Sequence, residues 1–292
     1  MCSRFSGPSD SDGPKNSPTK PDRSMPDKAE PVKPLLSDLT TPVARIVHEE
    51  YQMEFVDLAK VNAPAVGTFV PELHLLPANQ RALWPSLRPL RDRGFVLYGG
   101  TAISLRLGHR VSVDFDFFSD RSFEHSALIA ALPFNGRSKV IQEEPNTLTL
   151  LVAPADGVGE EVKVSFFGGL TIGRVGHPEV TRDGVVVAAS LLDLMGTKLK
   201  VIQQRAEKKD YLDIHTMLER GVHLEEGLAA GKSLYGKTFQ PSEALKAMAY
   251  FADGNLRELP VSVREALIEA SSSVRRVPAL ITLSASLGVG EV

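Results

Sequence analysis

The chain has 292 residues, 42% of them hydrophobic, which suffices for a buried core in one large domain or two modest ones. Its 33 basic and 36 acidic residues leave a formal charge of -3, so no global positive field holds nucleic acid, and any such contact must be local. The lone cysteine, Cys2, excludes a disulfide and a cysteine-ligated zinc; with no apolar run of about 18 residues and no apolar signal core, a soluble, cytoplasmic protein outside any membrane is expected.

Residues 1–34 hold seven of the twenty prolines among Ser, Asp and Lys, and too few large apolar side chains to offset the entropy of ordering. They read as a disordered tail or an upstream extension. Over 41–93, Val43, Ile46, Val47, Tyr51, Phe55 and Leu58 recur at helical steps, which predicts a helical N-terminal layer. A short apolar run at 95–98 stops at Gly99 and Gly100; 101–107 then reads as helix and 111–118 alternates as a strand. The β-rich stretches 138–142, 147–153 and 161–167 predict an antiparallel meander, and 185–187 a last short strand.

Ser190 followed by Asp193 predicts a capping box opening one long helix over 191–218. Further helix is expected from Pro241 onward, broken at Asp253-Gly254-Asn255. The expected organisation is α+β: a tail at 1–34, a small mixed sheet with a helical N-terminal layer at 35–190, and a helical region at 191–292.

The stretch LYGGTAISLRLGHRVSVDFDFFSD, residues 97–120, carries the chemistry. In 113–117 the two-residue period of a strand turns Asp114 and Asp116 to one face and the aromatics to the other. Like charges so close repel unless a cation neutralises them, and hard carboxylate oxygens suit Mg²⁺ (or Mn²⁺) completed by water and phosphate. A solvated strand face is the alternative for a D-x-D alone. Gly99-Gly100-Thr101, just before a helix, adds bare backbone N–H groups where a triphosphate can be cradled.

The Gly-Gly turn, helix and D-x-D strand resemble the first motif of the nucleotidyltransferase superfamily. More closely, GGTAISLRLGHRVSVDFDFFS resembles the AbiEii/AbiGii toxin family of abortive-infection and toxin–antitoxin systems, over roughly residues 85–260. The resemblance implies a nucleotidyltransferase-type sheet with a helical C-terminal part. It also implies a toxin with a cognate antitoxin, using NTP as substrate and transferring NMP to a hydroxyl of RNA, such as tRNA, or of protein.

In such families a strand after the first motif supplies a third carboxylate or a lysine. The matching stretch here is 161–167, where Ser165 stands at the expected acid position. Glu161 shares its face by parity but lies about 13 Å away along an extended strand, too far to substitute. Lys163 either reaches a triphosphate oxygen or is an edge-protecting charge. The loss of the third acid opens a second reading, a non-catalytic nucleotide-binding or interaction module.

On the expected long helix, Lys198, Arg205 and Lys209 fall on one face and can neutralise phosphate charge; a surface helix with salt links such as Lys209 to Asp213 is the plainer alternative. The resemblance to the family's third motif singles out Lys198 and Asp210, the latter orienting cations. Arg106, Arg110, Lys198 and Arg205 together suggest a local basic groove. Residues 231–238, GKSLYGKT, match a P-loop to the letter but follow a helix-like stretch rather than a strand, which argues against one. Trp84 is expected in the core, and among the histidines only His109 stands in a motif position.

Overall fold

The computed structural model describes residues 67–288. The expected tail at 1–34 and the helical run from Val43 to Leu58 lie outside the described residues. Among the described residues the strands are β1 (Thr68–Phe69), β2 (Val96–Tyr98), β3 (Asp114–Phe118), β4 (Ser138–Glu144), β5 (Thr147–Val152), β6 (Val162–Phe167), β7 (Glu179–Thr181) and β8 (Val187–Ala188). They join one mixed sheet in the order β1-β7-β8-β2-β3-β6-β5-β4. The helices are α1 (Ala78–Leu83), α2 (Gly99–Leu107), α3 (His125–Ala130), α4 (Leu191–Val201), α5 (Lys208–Glu219), α6 (Leu224–Tyr235), α7 (Pro241–Met248) and α8 (Val261–Ser273). The fold is α+β, as the alternation of patterns implies.

Strand parity places the core. Phe115 and Phe117 on β3 and Phe166 on β6 are fully buried, and Phe117 stacks on Phe166 with centroids 5.9 Å apart. Trp84 packs on Phe115 at 6.1 Å, and its indole N–H donates to Asp183 at 2.7 Å, so the aromatic body is buried without an orphaned donor. The expected meander is present: β4 to β5 and β5 to β6 are antiparallel, turning at Pro145-Asn146 with Asn146 in the left-handed region at φ 59°. Helix α2 buries Ala102, Ile103 and Leu105 and ends at Gly108, φ 68°, whose N–H returns to the Ser104 carbonyl at 2.9 Å.

Two local expectations fail. The long helix predicted over 191–218 is two helices, α4 and α5, separated at 202–207. Nothing in 202–207 is a helix breaker; the cause is tertiary. The loop at Gly254 lies against the Ala206 carbonyl, and Asn255 accepts the Lys208 N–H at 2.7 Å, supplying an N-cap to α5 from 47 residues downstream. The capping box is half formed. Ser190 Oγ accepts the Asp193 N–H at 3.0 Å, but the Asp193 carboxylate takes the N–H groups of Val175 and Gly176, at 2.8 and 3.2 Å, and pins that loop instead.

The P-loop lookalike is helical through Tyr235. A Cβ on Gly231 would meet the Phe239 ring at 2.6 Å, and one on Gly196 would meet the Gly231 N at 2.8 Å. These glycines let α4 and α6 approach closely and cradle no phosphate.

Candidate active site

A cleft of about 310 Å³ opens between the β3–β6 face, the α2 N-terminus and α4. Its floor is set by the parallel register of β3 and β6, which pairs Asp114 with Lys163, Asp116 with Ser165, and Phe118 with Phe167. The floor therefore runs from a charged row, through a row of one acid and one hydroxyl, to an aromatic row. Asp114 and Asp116 both face the cleft while Phe115 and Phe117 face the core.

Gly99 and Gly100 form the rim beside the acids. Gly99 adopts φ +72°, and a Cβ there would lie 2.7 Å from Asp116 Oδ2, so the backbone approach requires glycine twice over. Thr101 does not line the cleft. It is buried, and its hydroxyl donates to the Asp114 carbonyl and lies 2.9 Å from Ser112 Oγ, tying the start of α2 to the start of β3.

Burial, and then the neighbouring Asp114, push the Asp116 carboxyl above its ordinary range; Lys163, Lys198 and Arg205 oppose this without cancelling it. Lys163 lies on β6, an interior strand and not an edge, and its Nζ sits 3.3 Å from Asp114 Oδ2. Edge protection is therefore not its role. Ser165 is 3% exposed, with Thr149 Oγ1 at 3.5 Å, and no carboxylate takes the third position beside Asp116. Glu161 falls outside β6 and lines a separate pocket with Val113 and Val162. Among the described residues no group of three or more His, Cys, Asp or Glu side chains converges as a metal site. Two half-buried carboxylates facing a cleft fit a hard divalent cation that takes its remaining ligands from water and phosphate.

Lys198, Arg205 and Lys209 all line the cleft, though not as one helical stripe, because α4 and α5 are separate. Behind them lies a buried ionic cluster. Lys198 Nζ contacts Asp210 Oδ1 at 2.6 Å and Asp213 Oδ2 at 2.7 Å; Arg205 Nε donates to Asp210 Oδ2 at 2.8 Å. Arg110 forks onto Asp213 with bonds of 2.6 and 2.8 Å, and His109 Nε2 lies 2.7 Å from the same carboxylate. Burial alone would raise both acids. The Arg205 bond and Lys198 outweigh it at Asp210, and the His109 and Arg110 bonds with Lys198 outweigh it at Asp213, so both carboxyls are held below their ordinary range. Asp210 sits behind the cleft, orienting Lys198 and Arg205.

Asp213 is the residue that sequence reasoning missed. It was expected to link to Lys209, which instead lies 2.9 Å from Glu207. One signal was available: Asp213 falls among Tyr211, Ile214 and Met217 on the apolar stripe of α5, where an acid needs cationic partners. Arg106 leaves the expected basic groove as well. It is buried against Glu179 and over the Phe69 ring at 4.2 Å, away from the cleft.

A family model described as nucleotidyl transferase AbiEii toxin, type IV TA system, matches residues 83–275, which span every cleft residue named above. The chain belongs to the AbiEii toxin family. It is therefore a nucleotidyltransferase-type protein of a type IV toxin–antitoxin system, and such a system implies a cognate antitoxin. An uncharacterized protein of Aquifex aeolicus (strain VF5) is 31% identical over 162 residues, covering 54% of this AbiEii chain and 74% of that protein. The solved structure of an antigenic nucleotidyltransferase-like protein from Paracoccidioides brasiliensis is 17% identical, with a TM-score of 0.39 over 61% of this chain and 94% of the other. That likeness is too slight to carry an argument. No helix among the described residues is long and apolar enough to cross a membrane.

Proposed function

We propose that this protein is a metal-dependent nucleotidyltransferase toxin that transfers NMP from an NTP to a hydroxyl of RNA, with the tRNA acceptor end as one target, or of protein. The observation that carries this is the pair Asp114 and Asp116 facing a cleft rimmed by Gly99 and Gly100. A bare backbone turn at a helix N-terminus suits phosphate oxygens, and the cations of the opposite wall suit the charge of a departing pyrophosphate. Asp114 and Asp116 would hold Mg²⁺ or Mn²⁺, which when bound supplies charge neutralisation on the phosphates.

In the transfer, the acceptor oxygen forms a bond to the α-phosphorus while the bond from that phosphorus to the bridging oxygen breaks. Pyrophosphate leaves with the electron pair, and the hydroxyl proton passes to solvent. Lys198 and Arg205, held in place by Asp210, stabilise the developing charge, and Lys163, which also lines the cleft, would bind phosphate.

A second reading is favoured by one observation, the buried Ser165 paired in register with Asp116 where a third carboxylate is expected. It takes the protein as a module that binds nucleotide without transferring it. Incubation with each α-³²P-labelled NTP, Mg²⁺ and total bacterial RNA or lysate separates the two, with the Asp114→Ala, Asp116→Ala double variant alongside. Label carried to a macromolecule by the wild type alone establishes the transferase. Mg²⁺-dependent NTP binding without transfer establishes the module.

A further inference from the structure

The far end of the cleft floor is aromatic, and neither the acid pair nor the cations account for it. Phe118 follows Asp114 and Asp116 on the same face of β3, and Phe167 is its direct partner on β6. Both line the cleft and are half-buried, unlike their neighbours Phe115, Phe117 and Phe166, which are fully buried. A side chain whose only task is to fill the core has no reason to stop at the cleft.

The pair is also held rigid. Tyr98, itself 1% exposed, stacks on Phe118 with centroids 4.6 Å apart and planes 14° from parallel. Phe167 meets Phe118 edge to face at 5.4 Å and 79°. Val201 of α4 lines the cleft with them. The result is a preformed apolar slot whose rings pay little further ordering cost when a flat ligand enters.

Position gives the slot its ligand. Phe118 lies four residues from Asp114 along an extended strand, about 13 Å, on the order of the distance from the phosphates of a nucleoside triphosphate to its base. Between them, the row of Asp116 and the small Ser165 carries no bulky side chain. A cleft whose floor is ionic along Asp114, Lys163 and Asp116 and aromatic at Phe118 and Phe167 has the polarity of a nucleotide. We propose that Phe118 and Phe167, with Val201, form the nucleobase subsite of this cleft, a proposal that rests on the nucleotide reading above. The base is held by stacking rather than by contacts to its edges. All four bases are therefore accepted, with purines favoured by their larger area.

The test compares NTPs with ribose 5-triphosphate, which keeps the phosphates and sugar but lacks the base. Binding is measured calorimetrically in Mg²⁺ for the wild type, Phe118→Leu and Phe167→Leu, with folding of each variant checked by thermal melting. The wild type is expected to bind ATP about tenfold more tightly than ribose 5-triphosphate. Both variants are expected to lose that difference while binding ribose 5-triphosphate as the wild type does. Equal wild-type affinity for the two ligands overturns the subsite and leaves the triphosphate site standing, and so does a folded variant that keeps the wild-type difference. If the variants do not fold, the wild-type comparison alone decides. If the wild type binds neither ligand, the nucleotide reading falls and the subsite with it.

Discussion

Two pairs of aspartates stand on either side of one wall and behave in opposite ways. Asp210 and Asp213, fully buried, are surrounded by Lys198, Arg205, Arg110 and His109, and their carboxyls are held below the ordinary range. Asp114 and Asp116, facing the cleft, have each other as neighbours and Lys163 as their nearest cation, and Asp116 is held above that range. Burial raises the carboxyl at Asp116, Asp210 and Asp213 alike. What differs is neutralisation. The inner pair is satisfied by the protein and serves architecture; at Asp116 the nearby cations do not offset burial and the Asp114 charge.

The largest expected effect comes from breaking the inner pair. Asp213→Ala strands Lys198, Arg110 and His109 without their shared anion, and urea unfolding should register a loss of about 3–5 kcal/mol. The two pairs also separate by pH. Because Asp210 and Asp213 have depressed carboxyls, the stability they contribute is complete above the unfolded value of about 3.9 and drains away as pH falls through their lower folded values. Urea midpoints between pH 7 and pH 2.5 should thus fall less steeply for Asp213→Asn than for the wild type.

At the rim, Gly99→Ala forces a side chain into the left-handed region and against Asp116, with an expected cost of about 1–2 kcal/mol and a loss of nucleotide binding. The smallest change in stability belongs to the outer pair. Asp116 has a raised carboxyl, so its charge costs stability at neutral pH, a cost relieved as pH falls through the folded value. Asp116→Asn should leave the unfolding free energy within about 0.5 kcal/mol, or slightly raise it, while abolishing Mg²⁺-dependent NTP binding. A large destabilisation there would erase the distinction between the pairs.

The outer pair was legible in the sequence and the inner one only half so, for a physical reason. Period-two alternation around Asp114 and Asp116 and the glycines before α2 are local signals, and these residues line one cleft. The β4–β5–β6 meander and the end of α2 followed from the same kind of pattern, though α2 begins at Gly99 rather than Thr101. Asp213 became intelligible only when β3, α4 and α5 met, because its partners His109 and Arg110 lie more than a hundred residues earlier. Arg106 was misplaced because residue type suggested a basic groove while packing commits it to Glu179; the Thr101 hydroxyl, on which the sequence reading placed nothing, is tied to the Asp114 carbonyl. The split between α4 and α5 has no local sign at all.

That split reaches further than a helix boundary. The bend that brings Arg205 to the cleft is closed by Asn255, which caps α5 from outside the helix pair. The wall of the site is thus latched by a hairpin of chain made long after the acids it faces. A substitution confined to 253–255, far in sequence from every cleft residue, would remove a cap from the helix that carries Asp210, the anchor of Lys198 and Arg205, without touching Asp114 or Asp116.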